Sequence, residues 1–384
     1  MQKACYQINL QTGFGGGEVY TRFFTRALIE LGWQVFLLVP PQASWWKGLE
    51  QEGAVIIPVA GVEDIAAHLP QTRSLLVFQT PVPGSAAEHL RQRHFVTCFA
   101  HMPLYGRNPE VFRHCDLVFA VSRHVIASLK AADITHYYPE PLYGVADLER
   151  PARLRRVFTK GGPVRANSSY DWDQRKFRDR FLSYVHPFYF ALKPSREFEK
   201  REGLTLGIVS RLTPIKQFPL MFEILAPVIR RFPQINLEIF GSGGYASVRD
   251  LKRSLAPISG QVRWWGHQGN VKAVYPLLDF LLTGLPEKEA LGLNVIEAQA
   301  CGTPVLAVNA PPFTETVVEG ETGHFFTDPR QDQGASFEAL LQAFIQGEAL
   351  PRPLLARQHL EIFSFPQFVG RVETAMSHAL ALAG

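Results

Sequence analysis

The amino-acid sequence predicts an α/β protein made of two doubly wound domains. Three observations predict it. Short Val-, Leu- and Phe-rich runs alternate with longer amphipathic runs, the pattern of a parallel sheet covered by helices. Loops of Gly, Pro, His and Ser close the short runs, and the carboxyl ends of parallel strands are where such folds carry ligands. The 384 residues favour two hydrophobic cores over one.

Composition narrows the class. Apolar residues make up 46% and charged residues 19% of the chain, which describes a folded globular protein and excludes a disordered one. The net charge of +4 is too small to imply a nucleic-acid partner. No apolar run approaches the roughly 18 residues that cross a bilayer, and no basic stretch precedes an apolar core at the N-terminus. A cytoplasmic protein is expected, resting at most peripherally on the inner membrane face. Cys5, Cys98, Cys115 and Cys301 are far apart and form no C-x-x-C pair, so reduced thiols are expected and no zinc or disulfide framework.

The chain begins as strand, glycine loop, helix, strand over residues 4–60. The loop Thr12-Gly13-Phe14-Gly15-Gly16-Gly17-Glu18 interrupts the first apolar run. Helical spacing of Phe23, Ala27, Leu28 and Leu31 follows from Val19, with Gly32 as its cap, and Trp33 to Val39 is a buried strand. A dinucleotide fingerprint fails here. Starting from Gly13 it needs glycine at Glu18, and starting from Gly15 it needs glycine at Tyr20. A loop that lets a ligand approach the backbone remains, beside the plainer alternative of a tight turn.

Residues 54–60, 74–79, 95–101 and 117–121 read as further buried strands, the third ending in His101. A lone histidine is more often structural, but a strand's carboxyl end is a functional position. Residues 193–203 read as a polar linker. Beyond it, Leu204 to Val209 is a strand leading to Ser210-Arg211, and Lys216 precedes an apolar helix. An arginine and a lysine at a strand's carboxyl edge can neutralise a diphosphate, one by paired hydrogen bonds and the other as a point charge. Ile235 to Phe240 opens into Gly241-Ser242-Gly243-Gly244, and Val262 to Trp265 leads to Gly266-His267, with Tyr275 on a short helix.

The most informative stretch runs from Glu289 to Val305. A helix beginning near Gly292 offers unpaired N–H groups and the positive end of its dipole, a place for a phosphate or diphosphate. Leu291, Gly292 and Leu293 form its entry, and Gly302 closes it. Glu289 and Glu297 flank that anion site. Carboxylates repel phosphate, so they must serve hydroxyls of the same ligand, as a nucleotide sugar provides.

At Glu289, seven intervening residues, Glu297-Ala298 and Ala300-Cys301-Gly302-Thr303-Pro304-Val305, the chain resembles the family-4 retaining glycosyltransferases. The resemblance implies the GT-B fold, two Rossmann-like domains facing across a cleft. It implies an acceptor-side domain, a donor domain and a terminal helix, 367–384, that packs back on the first domain; with the polar linker as boundary the domains are expected over 1–200 and 203–366, and residues from about 150 to 200 are an insert in the first. It assigns Glu289 and His101 to the donor sugar, Glu297 to the ribose, Arg211 and Lys216 to the diphosphate, Gly266-His267 to the base and Gly16-Gly17 to the cleft. The glycine run from Gly241 reads by itself as a loop that lets the donor approach the main chain, beside the plainer alternative of a common turn. Ser210 and Gln217 stand where that family commonly has glycine. The loops at Gly144-Val145-Ala146-Asp147 and Glu319-Gly320-Glu321-Thr322-Gly323 also resemble family landmarks.

The insert has no counterpart in the family. Arg150, Arg153, Arg155, Arg156, Lys160, Arg165, Arg175, Lys176, Arg178 and Arg180 are interleaved there with Tyr170, Trp172, Phe177, Phe181 and Tyr184. An anionic carbohydrate acceptor, an anionic membrane surface and a plain solvated helix are the readings open. Asp171-Trp172-Asp173 has the D-x-D form of a metal site in another glycosyltransferase fold, but a polar stretch precedes it where a buried strand is needed, so no metal site is expected. The expected function is transfer of a hexose from a nucleotide-diphosphate sugar, such as UDP-glucose, to a glycan, glycolipid or lipid-linked acceptor, with no cofactor required. A sugar-nucleotide epimerase or hydrolase of related fold and a non-catalytic nucleotide-sugar-binding protein are the alternatives.

Overall fold

The computed structural model describes residues 3–13, 15–81, 83–146, 164–172, 177–191 and 196–384. The chain divides into two compact units, Met1–Ala146 with Glu361–Gly384, and Asp147–Leu360. Each is built on one six-stranded parallel sheet.

The first sheet contains β1 (Ala4–Ile8), β2 (Gln34–Val39), β3 (Val55–Pro58), β4 (Leu75–Phe78), β5 (Phe95–Ala100) and β6 (Leu117–Ala120) in the order β3-β2-β1-β4-β5-β6. The order reverses between β1 and β4, which opens a crevice at their carboxyl ends. β4, β5 and β6 are buried along their whole length, as their unbroken apolar sequences require. The expectation of a buried strand at 54–60 does not hold for β3. It is an edge strand paired on one side only, and Val55 is 43% exposed.

Helix α1 (Gly16–Glu30) starts three residues earlier than its apolar spacing suggests, because Gly15 is extended and lets Gly16 enter the helix at once. Tyr20, Phe23, Phe24, Ala27 and Leu28 are buried. Gly32, with φ +77°, closes it, and the Trp33 N–H donates back to the Leu28 carbonyl. Helices α2 (Gly84–Arg91) and α3 (Arg123–Ala131) follow, the latter capped by Ser122 Oγ, which accepts from the Val125 N–H at 3.1 Å.

The second sheet contains β7 (Leu204–Val209), β8 (Ile235–Phe240), β9 (Val262–Gly266), β10 (Phe280–Leu282), β11 (Val305–Val308) and β12 (Gly323–Phe326) in the order β12-β11-β10-β7-β8-β9. Its reversal lies between β10 and β7. The helices of this unit include α4 (Phe177–Ala191), α5 (Phe218–Arg230), α6 (Tyr245–Ser254), α7 (Leu293–Ala300) and α8 (Ala335–Ile345). Alternate strand residues face opposite ways. Leu206 and Ile208 therefore join one core with Met221, Phe222 and Leu225 of α5, while Val209 and Leu281 join another with Val295 and Ala298 of α7. Helix α9 (Phe365–Ala383) returns to the first unit, where Phe368 meets Tyr20 at 5.6 Å between ring centroids and Arg26 lies 5.0 Å over the Phe365 ring.

The domain boundary expected near residue 200 falls instead at 147, and 196–203 is no linker. The reason is a buried charge. Glu238 of β8 is wholly buried and accepts from Arg263 Nε at 2.8 Å, Arg201 at 3.1 Å and Trp265 Nε1 at 2.6 Å. A carboxylate there is tolerable only when so paired, and that pins Arg201 to the second sheet. Lys200 bonds Asp279 at 2.7 Å. Residues 164–170 are tied to the second unit by main-chain bonds, the Ala166 N–H donating to the Arg196 carbonyl at 2.9 Å, the Asn167 N–H to the Trp265 carbonyl at 2.8 Å and the Gly243 N–H to the Ser169 carbonyl at 3.0 Å.

Of the basic run, Arg150, Arg153, Arg155, Arg156, Lys160, Arg175 and Lys176 lie outside the described residues, as do Asp147 and Asp173. Among the described residues no helix is long and apolar enough to cross a membrane.

Candidate functional site

The reversal of the second sheet gathers most of the residues singled out in the sequence. β7 ends at Val209, and the chain turns through Ser210 and exposed Arg211 into a short 3-10 turn, Pro214–Lys216. Gln217 then adopts φ +53°, the left-handed conformation that glycine takes more readily, and this accounts for glycine at that place in the resembled family. The turn is held against the end of β10. The Leu285 N–H donates to the Lys216 carbonyl at 3.2 Å, and a Cβ on Gly284 would come within 2.1 Å of that oxygen. Lys216 Nζ forms an ion pair with Glu289 Oε2, and both side chains are mostly withdrawn from solvent.

Helix α7 opens beside this pair. Gly292 has φ +84°, and its absent side chain leaves room for Val295 and Phe313, which a Cβ would meet at 3.1 and 3.3 Å. No side chain caps the helix, so its first turn presents main-chain N–H groups and the positive dipole end. Asn294 Nδ2 donates to the Val209 carbonyl at 3.1 Å, which fastens that turn to the end of β7. Leu291 is buried beneath and Leu293 half-buried.

One turn along, Glu297 Oε2 accepts from the Tyr275 hydroxyl at 2.9 Å, and the Tyr275 carbonyl accepts from Thr303 Oγ1 at 2.6 Å. Burial, reinforced by the Glu297 charge, holds the Tyr275 phenol well above its ordinary range. The phenol stays protonated and, as the hydrogen-bond donor, fixes the accepting carboxylate.

Gly241 and Gly266 stand at the ends of β8 and β9. Both have positive φ, and a Cβ on either would strike main chain, the Ser210 oxygen at 1.8 Å and the Asn167 oxygen at 2.1 Å. The main chain of His267 is engaged within the unit. Its N–H donates to the Ser168 carbonyl at 2.9 Å and its carbonyl accepts from Asn167 Nδ2 at 3.1 Å, while the residue itself is exposed.

In the first unit, His101 follows β5 at the carboxyl end of that strand. It stacks on Phe99 at 5.3 Å and meets Tyr20 edge-on at 5.0 Å. Burial lowers its pKa to about 4, so the ring is neutral at physiological pH. A buried relay fixes the tautomer. Thr25 Oγ1 donates to the Thr21 carbonyl, Gln7 Nε2 to Thr25 Oγ1 at 2.9 Å, and Gln79 Nε2 to Gln7 Oε1 at 3.0 Å. That order leaves Gln79 Oε1 as an acceptor, 3.0 Å from His101 Nε2, which must carry the proton. Gly16 and Gly17 form the first turn of α1, where Thr21 Oγ1 bonds the Gly17 carbonyl at 2.9 Å.

Sequence reasoning gave roles to Glu289, Glu297, Arg211, Lys216 and His101 and placed Tyr275 on a short helix, but it found neither the bond from Tyr275 to Glu297 nor the supports Asn294, Gln79 and Gln7. A signal exists for the last two, since a glutamine inside or just beyond an otherwise apolar buried strand needs a partner.

Residues 192–352 match the family described as glycosyl transferases group 1. The chain is 32% identical over 174 residues to a D-inositol 3-phosphate glycosyltransferase of Rhodococcus erythropolis, covering 42% of this chain and 38% of that protein. It is 28% identical over 155 residues to a phosphatidyl-myo-inositol mannosyltransferase of Mycobacterium tuberculosis, covering 39% and 40%. The matched stretch thus spans less than half the length of these curated relatives. Among solved structures it is similar to Anabaena HepE in complex with UDP and glucose, with a TM-score of 0.67 and 15% identity over 98% of this chain and 100% of that one. It is also similar to sucrose-phosphate synthase from Thermosynechococcus elongatus, with a TM-score of 0.66 and 16% identity over 99% and 100%. The family match lies within the second unit, and the two sheets are those of the GT-B fold.

Proposed function

We propose that this chain is a retaining glycosyltransferase that moves a hexose from a nucleoside-diphosphate sugar, UDP-glucose or a similar donor, to a hydroxyl of a glycan, glycolipid or lipid-linked acceptor. The observation that carries the reading is the cluster at the reversal of the second sheet. There Arg211, Lys216 and the open N-terminus of α7 stand with two carboxylates, each held by its own partner. The names of the relatives, an inositol-phosphate glycosyltransferase and a phosphatidylinositol mannosyltransferase, support transfer to a hydroxylated acceptor. The UDP and glucose bound by HepE support the donor class.

In this reading Glu297, oriented by Tyr275, accepts the ribose hydroxyls. Lys216 turns from Glu289 to the diphosphate, and Glu289, so released, accepts hydroxyls of the sugar. Cleavage of the anomeric C–O bond sends the electron pair onto the diphosphate. Arg211, Lys216 and the N–H groups of Gly292 and Leu293 stabilise that charge as it develops, the part a metal ion plays elsewhere. The resemblance adds His101 on the sugar, Gly16 and Gly17 lining the cleft, Gly266 and His267 on the base, and retention of configuration, while the glycine loop at Gly241 lets the donor approach the main chain.

The test is acceptor-dependent release of nucleoside diphosphate in excess chelator. Lys216→Ala and Arg211→Ala should each lower kcat on the order of 100- to 1,000-fold. Near-normal kcat in both variants removes the leaving-group role, and turnover that chelator abolishes and Mg²⁺ restores removes the metal-free reading. Donor consumption without acceptor would point to the hydrolase alternative.

A further inference from the structure

Helix α4 turns Asp179 inward. Asp179 is buried, and Leu182 and Ser183 are half-buried, so that side faces protein. At about 100° per residue, Phe177, Phe181, Tyr184 and Val185 share one arc of roughly 100° centred opposite Asp179. They are 79%, 61%, 71% and 46% exposed. A helix that needed only its own domain would bury this aromatic stripe and expose the aspartate.

We propose that this face of α4 docks on an anionic lipid surface. Charge selects that occupant. Residues 150–191 contain ten Lys and Arg against three Asp, a net charge of +7, whereas the whole chain carries +4. The rest of the protein is therefore net negative, and the aromatic stripe lies within its one strongly cationic segment. Arg180 is placed 5.8 Å over the Phe177 ring, a guanidinium at the edge of the apolar face. Aromatic side chains entering the acyl boundary while basic neighbours meet headgroups is how an interfacial helix binds. Fifteen residues make a helix of roughly 22 Å, too short to span, so it lies in the plane of the surface. An acceptor carried on a lipid would be presented at such a surface, but the docking does not depend on the transfer reaction.

The experiment is flotation of the full chain with phosphatidylcholine vesicles, with and without phosphatidylglycerol. The chain should float with the anionic vesicles, and added salt should weaken this. The triple variant Phe177→Ser, Phe181→Ser, Tyr184→Ser should lose partitioning on the order of a hundredfold. Arg180→Glu, which keeps every aromatic, should lose about tenfold or more on anionic vesicles only. The proposal is overturned if the chain ignores both kinds of vesicle, if both variants float as well as the parent, or if neutral vesicles bind it equally well. It is also overturned if the triple variant's only effect is to break an oligomer, which would make the stripe a contact between copies.

Discussion

Lys216 and Glu289 neutralise each other, and the proposed chemistry requires that they part. A buried ion pair is a poor source of stability but a ready switch, because either member can exchange its partner for a ligand group of the same sign. Their spacing, like that of Arg211 and Glu297, was legible in the sequence. Their supports were not. Tyr275 reaches Glu297 across 22 positions and Asn294 reaches Val209 across 85, and no local pattern encodes such contacts. His101 shows the same division. Its position at a strand end was readable, while its tautomer comes from Gln79, Gln7 and Thr25. The relay predicts that ¹⁵N NMR of His101 shows the Nε2–H form at neutral pH and that Gln79→Leu mixes the tautomers. The depressed pKa also has a sign. The unfolded chain binds this proton below about 6.5 and the folded chain only near 4, so the histidine costs stability as pH falls between them. His101→Asn should flatten the decline of unfolding free energy with acid in that window, and an unchanged slope would show that the ring is not held neutral.

At the scale of elements, alternation of apolar runs with amphipathic runs located the strands and most helices. The exposure of β3 escaped it, because its sequence is apolar while it lies at a sheet edge with Val55 outward. The start of α1 escaped it as well, since Gly16 and Gly17 add no apolar side chain to the periodic stripe. The positive-φ positions at Gln217 and Gly292 mark where turns must be tight, and Gly284 marks a different constraint, main-chain contact. Gly284→Ala drives a methyl into the Lys216 carbonyl and should cost about 1–3 kcal/mol in denaturant unfolding. Because the displaced residue is Lys216, kcat should fall together with stability. A variant as stable as the parent would show that the turn does not depend on this contact.

For the molecule as a whole, length and periodicity indicated two parallel-sheet units, and two six-stranded sheets are what the chain forms. The boundary was misjudged because residues 196–203 look like a polar linker until Glu238 is seen buried beneath Arg201. A polar segment that neutralises an interior charge cannot be told from a solvated one by composition. The same limit applies to residues 164–170, whose main chain bonds Arg196, Trp265 and Gly243 of the second unit. What integrates the second unit is its sheet reversal, where residues from 211 to 297 meet. The most direct test of its role as a donor site is a thermal-shift panel of UDP-, GDP- and ADP-sugars on the full chain and on Glu297→Ala. A ligand that binds only the folded state raises Tm. The account predicts that at least one nucleoside-diphosphate sugar raises the Tm of the parent chain and that Glu297→Ala abolishes most of that rise. No shift with any of them, or an equal shift in the variant, would contradict it.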